Sequence, residues 1–352
     1  MYCKHFQEFV DILTREVVTE ATTIPFSKYS QIIFLVGGAG SGKNFALNHL
    51  LSANGRNLDV DDFKDFLTGE KVKNPDKKEK IKEFTIGSLT RKLKELEEKK
   101  KNASSADIQK IEDMVEATNT YLSYLQNNKD LTLSDPENVT ILHKVAKVMF
   151  GYGDIDNRVA AALRSAYLQK DKSRLGNLVF NITGKDVKDI ENLAIAANSV
   201  GYAPENTHIV WVLDKIDNAR IKNSERPRKV SDAVLKNTHK GANDTMEMIR
   251  KDFDKLNLRK YVDGRVIILF NQKGDSEVVS EQPVKPGEDA KIKYAKWVER
   301  IVIKDEKKGF KTNEEIDKEL KRSVNTDKYQ PKNRVKSFSD FDKKYKEMTK
   351  VD

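Results

Sequence analysis

The stretch Ile32–Leu51, IIFLVGGAGSGKNFALNHLL, decides how the rest of this 352-residue chain is read. It opens on an apolar run, Gln31–Val36, of the kind expected in a strand buried on both faces of a parallel sheet. The chain then turns through Gly37, Gly38, Ala39, Gly40, Ser41 and Gly42 into Lys43, and a helix is expected over Asn44–Ser52, stopping near Asn54-Gly55. Gly37, Gly42 and Lys43 satisfy the pattern G-x-x-x-x-G-K. In that pattern the glycines let backbone N–H groups converge on phosphate oxygens, the helix N-terminus adds positive potential, and the lysine reaches the outer phosphates. The candidate phosphate contacts therefore run from Gly37 through Lys43 to Asn44 and Phe45. Asn44 stands where such loops carry the serine or threonine that holds magnesium. An amide oxygen can also ligate that ion, which binds oxygen and keeps several waters.

Working outward, three further short apolar runs follow: NLVFNITG (Asn177–Gly184), HIVWVL (His208–Leu213) and RVIILF (Arg265–Phe270). Helical patterns separate them, and strands alternating with helices give an α/β fold, a parallel sheet with helices on both faces. Between Gln31–Val36 and Asn177–Gly184, the segment 77–126 is charged, lacks proline and places Leu89, Leu93 and Leu96, then Ile108, Ile111 and Val115, at spacings of three and four. It predicts a helical hairpin inserted at 71–138, with NASSAD as the turn. The expected organisation is an N-terminal amphipathic helix and linker (1–30), a main domain (31–275) containing the hairpin, and a C-terminal extension (276–352). In that extension YAKWVERIVI suits an edge strand and FSDFDKKYKEM a terminal helix.

Composition limits the function classes. Hydrophobic residues make up 38% and charged residues 34%, as in a protein with a real core under a charged surface. No apolar run approaches the ~20 residues that span a bilayer, and charges interrupt the N-terminal helix as no signal peptide would tolerate. Cys3 is the only cysteine, so an intramolecular disulfide and a thiolate metal cluster are both excluded and a cytoplasmic setting is expected. The net charge of +9, from 64 Lys and Arg against 55 Asp and Glu, suits polyanionic partners such as nucleotides or nucleic acid. Acidic residues are interspersed almost everywhere, so the same balance also describes a lysine-rich soluble surface.

Two more segments carry chemistry. LDVDDFK offers Asp59, Asp61 and Asp62 at the end of the strand expected after the loop helix. A carboxylate there can orient an acceptor hydroxyl and take its proton as a phosphoryl group moves; acidic residues at that place also cap helices. DNARIKNSERPRKVSDAV crowds Arg220, Lys222, Arg226, Arg228 and Lys229 into ten residues, a density suited to covering the charge on a transferring phosphate or to a solvated cationic helix.

Taken in order, GGAGSGKN, DVDDFK, LVFNITG and NSERPRKVSDAVL resemble the zeta-toxin and polynucleotide-kinase branch of the P-loop kinases, over residues 31–66 and 155–270. The resemblance implies a P-loop kinase-like domain that moves the γ-phosphate of ATP or GTP, with Mg2+, to a hydroxyl of a nucleotide-containing acceptor. That acceptor would be a small nucleotide-like molecule or a nucleic-acid end. It places the family carboxylate on Asp61, with Asn44 beside it at the metal, and the lid arginine on Arg226 with Arg220 and Arg228 as neighbours. Asn181 departs from the aspartate usual in the family's second strand. A rival reading is a nucleotide-binding module with weakened catalysis that engages a protein assembly through 71–138 or the C-terminal tail.

Overall fold

The computed structural model describes residues 24, 26–49, 51, 55–59, 61–69, 72, 74–127, 129, 131–150, 157–226, 228–271, 299–326 and 335–351. The expected N-terminal helix lies outside them. Chain contacts divide the protein into two units: Met1–Leu58, Leu163–Arg220 and Leu235–Asp352 form the first, and Asp59–Ala162 with Ile221–Val234 the second.

The first unit is built on a six-stranded sheet of order β2-β3-β1-β4-β5-β6. Its strands are β1 (Ile32–Val36), β2 (Gly55–Asp59), β3 (Asn177–Ile182), β4 (Thr207–Leu213), β5 (Val266–Phe270) and β6 (Glu299–Lys304). β1 is central because every one of its five residues is apolar and can be covered on both sides. It pairs in parallel with β3, Ile33 opposite Val179, and with β4, Ile33 opposite His208. β4 and β5 are also parallel, while β6 runs antiparallel to β5 and forms one edge. The other edge is β2, whose sequence GRNLD is only half buried.

Side chains alternate across the sheet, so each strand feeds two cores. Ile33, Leu35, Val179, Val210, Val212, Ile267 and Leu269 cover one face, where Ala46 of helix α1 (Lys43–His49) packs. On the other, Phe34 stacks on Phe180 with ring centres 5.2 Å apart. Of the remaining helices, α7 (Val187–Ser199) joins β3 to β4, α8 (Ile216–Glu225) and α9 (Asp232–Asp252) join β4 to β5, and α10 (Asn313–Thr326) and α11 (Phe338–Thr349) follow β6. α11 packs on the sheet, with Tyr345 edge-on to Trp211 and Phe341 edge-on to Phe270. The expected edge strand and terminal helix of the C-terminal segment are thus parts of the same unit as the glycine loop.

The second unit is helical: α2 (Asp61–Thr68), α3 (Pro75–Lys101), α4 (Ser105–Gln126), α5 (Pro136–Phe150) and the start of α6 (Asn157–Leu168), together with 221–234. α3 begins at Pro75 because Asn74 caps it, accepting from the amides of Asp76 and Lys77. α3 and α4 are the expected hairpin, though they do not stand alone. α4 is tied to α2 by the buried Tyr121 hydroxyl, which donates to Leu67 O at 2.6 Å. α2 in turn stacks Phe63 on Phe150 of α5 at 4.2 Å. Among the described residues no helix is long and apolar enough to cross a membrane.

Candidate phosphate-binding site

The parallel sheet brings the C-terminal ends of β1, β4 and β5 together, and the glycine loop leaves the central one. In open sheets of this kind that edge is where ligands bind. Gly40 and Gly42 adopt φ of +76° and +96°, backbone that a side chain would strain. Among the described residues the N–H groups of Gly40 and Gly42 have no protein acceptor, while the Ser41 amide closes a turn onto Gly38 O at 3.2 Å. The Lys43 ammonium lies back over the loop, donating to Gly37 O at 2.6 Å and Gly38 O at 3.1 Å. A cation on a flexible stem, held by neutral carbonyls beside left-handed amides, is set to exchange those carbonyls for an anion.

The walls of the loop come from residues that the motif does not predict. A methyl group on Gly38 would fall 2.3 Å from the His239 ring, one on Gly40 3.1 Å from Ala219 O, and one on Gly42 2.3 Å from Asn271 Nδ2. Glycine is required here by crowding as much as by dihedral angle. Asn271, just past β5, donates to Ser41 O at 2.6 Å, and its own amide bonds to Leu213 O at 2.8 Å, tying loop, β4 and β5 together. Ala39 is held on both sides by α9: its N–H donates to Thr238 Oγ1 at 3.1 Å, and its carbonyl accepts from His239 Nε2 at 2.8 Å. The Ser41 hydroxyl is buried without a hydrogen-bond partner among the described residues.

The two departures from the expected motif meet. Asn181 of β3 donates from Nδ2 to Asn44 Oδ1 at 2.9 Å. A hydroxyl–carboxylate arrangement is thus replaced by a matched amide pair that carries no charge. Asn44 Oδ1 keeps one lone pair, since a carbonyl oxygen has two. Among the described residues no group of three or more His, Cys, Asp or Glu could hold a metal. This donor set fits a magnesium that arrives on a nucleotide's phosphates and keeps its waters; it does not fit one held by these side chains alone.

The remaining expected residues divide between the units. Arg220 belongs to the first unit with the loop and pairs with Asp217 one turn away on α8, at 2.9 Å. Asp61, the first residue of α2, and Arg226 and Arg228 belong to the second. There the arginine segment has a closed base: Asn223 donates to Val230 O at 2.8 Å and accepts from Val230 N–H at 3.0 Å. Lys229 N–H bonds Leu133 O at 3.0 Å, and Arg228 approaches Asp65 at 4.0 Å, so the segment is docked on the helical unit. Asp59 ends β2 and is buried.

Sequence reasoning also passed over Asp214, fully buried just beyond β4, whose Oδ1 accepts from Asn218 Nδ2 at 3.1 Å. His239 did carry a signal. Leu235, His239, Ala242, Met246 and Ile249 recur at spacings of four and three, so a histidine occupies a core position of α9.

No protein-family model matches the chain, and no curated protein matches it significantly.

Proposed function

We propose that this protein is a P-loop phosphotransferase of the kind that its sequence resembles, moving the γ-phosphate of ATP or GTP to a hydroxyl of a nucleotide-containing acceptor. The observation that carries the reading is the loop itself: among the described residues two left-handed glycines with N–H groups lacking protein acceptors, next to a lysine whose ammonium donates to the Gly37 and Gly38 carbonyls, at the C-terminal edge of the sheet. That is a receptor for phosphate oxygens.

In the proposed reaction the acceptor oxygen attacks the γ-phosphorus, the bond from that phosphorus to the bridging oxygen breaks, and the nucleoside diphosphate leaves with the electron pair. Asp61 is assigned by its place after the loop helix to orient the acceptor hydroxyl and take its proton. Lys43 and the loop amides hold the phosphates, and Arg226, with Arg220 and Arg228 as its neighbours in sequence, is assigned to the charge on the transferring group. Magnesium, when bound with the nucleotide, would offset phosphate charge, and Asn44 and Asp61 are the residues assigned to hold it beside the phosphates and its waters.

The charge pattern favours a small nucleotide-like acceptor over a nucleic-acid end. Acidic residues interspersed among the lysines would flatten the positive track that a backbone needs. The test offers γ-labelled ATP together with a 5′-hydroxyl oligonucleotide, nucleosides and nucleotide sugars at physiological salt. Label on a small acceptor is expected, and Asp61→Asn should lower its rate by about 100-fold or more while nucleotide binding survives. Label on the oligonucleotide alone would reverse the acceptor preference. A second reading, a nucleotide-binding module without turnover, is supported by the uncharged Asn44–Asn181 pair. Tight ATP binding with no labelled product would favour it.

A further inference from the structure

We infer that Thr238 and His239 of α9 are positioning residues for the phosphate-binding loop, setting the conformation of its tip before ligand arrives. The inference deepens the nucleotide-binding reading and rests on it. Three separate contacts converge on two loop residues. The Ala39 N–H donates to Thr238 Oγ1 at 3.1 Å. Because a carbonyl can only accept, the 2.8 Å contact between His239 Nε2 and Ala39 O fixes the proton on Nε2, which donates. The flat face of the same ring fills the space that a Cβ on Gly38 would take, at 2.3 Å.

The hydroxyl is itself oriented. Thr238 Oγ1 donates to Leu235 O at 3.0 Å, so the lone pairs are what it offers Ala39. His239 is buried at the apolar face of α9, between Leu235 and Ala242 along the helix. A ring locked in that way cannot swing aside, so Gly38 and Ala39 have one position available.

Both backbone polar groups of Ala39 are thereby occupied by protein, and its N–H is withdrawn from phosphate binding. What this secures is the orientation of the next residues. With Ala39 pinned, Gly40 enters its left-handed conformation and the N–H groups of Gly40 and Gly42 are left without protein acceptors. Gly38 O, one of the two carbonyls that hold Lys43, belongs to the same pinned peptide pair. The contacts reach across about 200 residues of sequence, as their separations of 199 and 200 show. The helix that makes them follows the arginine segment directly in the chain.

The experiment compares Thr238→Val, which keeps shape and removes the acceptor, with Thr238→Ser, which restores it. Two quantities are read: hydrogen exchange at the Ala39 amide in ligand-free protein, and affinity for ATP at equilibrium. Losing one such hydrogen bond is worth about 1 kcal/mol, so Thr238→Val should exchange about five- to tenfold faster at Ala39 and bind ATP more weakly by a similar factor. Thr238→Ser should recover both. A helix contact with a merely structural role would lower the unfolding midpoint without selective exchange at Ala39 and without the serine rescue. If Thr238→Val fails to fold, Thr238→Ala carries the same comparison. Unchanged Ala39 exchange and unchanged ATP affinity in folded Thr238→Val overturn the inference alone. Wild-type protein that binds no ATP overturns the nucleotide reading and this inference with it.

Discussion

The sheet unit and the helical unit hold themselves together in different ways. Around the glycine loop the bonds are long in sequence and specific in geometry: Ala39 to α9, Ser41 to Asn271, Asn44 to Asn181. On the hairpin the polar contacts are mostly short-range and exposed, such as Lys92–Glu95 at 2.6 Å and Lys101–Glu98 at 2.8 Å, each one turn apart. Exposed pairs of that kind contribute about 0.5 kcal/mol or less, so the hairpin depends on its buried face, on residues such as Leu89 and Tyr121. One loop is over-determined by its surroundings, while a helical body is held by local propensity and a few buried anchors. Substitutions around the loop should therefore disturb ligand binding, and substitutions at the buried anchors of the hairpin should disturb stability and leave ATP affinity unchanged.

Gly42→Ala should give the largest effect on the loop side. The new methyl must enter left-handed backbone and displaces Asn271 from Ser41 O. Strain of about 1–2 kcal/mol plus a lost hydrogen bond of about 1 kcal/mol should weaken ATP binding by roughly 30-fold or more. Isothermal titration checks it, and unaltered affinity would mean that the loop is not confined as described.

The sheet unit also carries a buried acid-sensitive group. His208 of β4 accepts from Arg265 N–H at Nδ1 and donates from Nε2 to Gln31 Oε1. Burial, with Arg265 and Lys304 nearby, pushes its pKa down to about 3. The unfolded chain binds that proton near pH 6.5, so between pH 6.5 and 3 the unfolded state holds more protons and stability falls as pH falls. At pH 5 the loss should reach about 2 kcal/mol relative to pH 7. Urea unfolding of wild type and His208→Gln at both pH values isolates it. If the variant loses as much stability on acidification as wild type, the group responsible lies elsewhere.

On the helical side, Tyr121→Phe removes the bond to Leu67 O and should cost about 1 kcal/mol in urea unfolding, with ATP affinity unchanged. A loss of ATP affinity there would break the separation between the two kinds of region.

Much of the sheet could be read from sequence because a strand covered on both faces must be continuously apolar. β1 and β5 have that property throughout, and β3 and β4 have it over Leu178–Phe180 and Ile209–Leu213, and these runs mark them. β2 does not: GRNLD sits at an edge, and only Leu58 and Asp59 are buried. α10 escaped notice because its face is sparse, with Ile316 and Leu320 the buried apolar residues among those described. The glycine pattern located the loop, yet could not reveal what surrounds it. Thr238, His239 and Asn271 meet the loop only through the tertiary fold, at separations of 199, 200 and 230 residues. The amide pair was visible as two separate departures, and only the alignment of β3 beside β1 turns them into one feature.

The central claim, that the loop from Gly37 to Phe45 holds a nucleoside triphosphate, is tested most directly by titrating ATP into wild type and Lys43→Ala under matched conditions. The lysine ammonium should contribute a charge-assisted bond of about 1.5–3 kcal/mol, so the account predicts saturable wild-type binding weakened about 10- to 100-fold in a variant that unfolds at the same urea concentration. Equal affinity in the two folded proteins, or no binding by wild type, would contradict it.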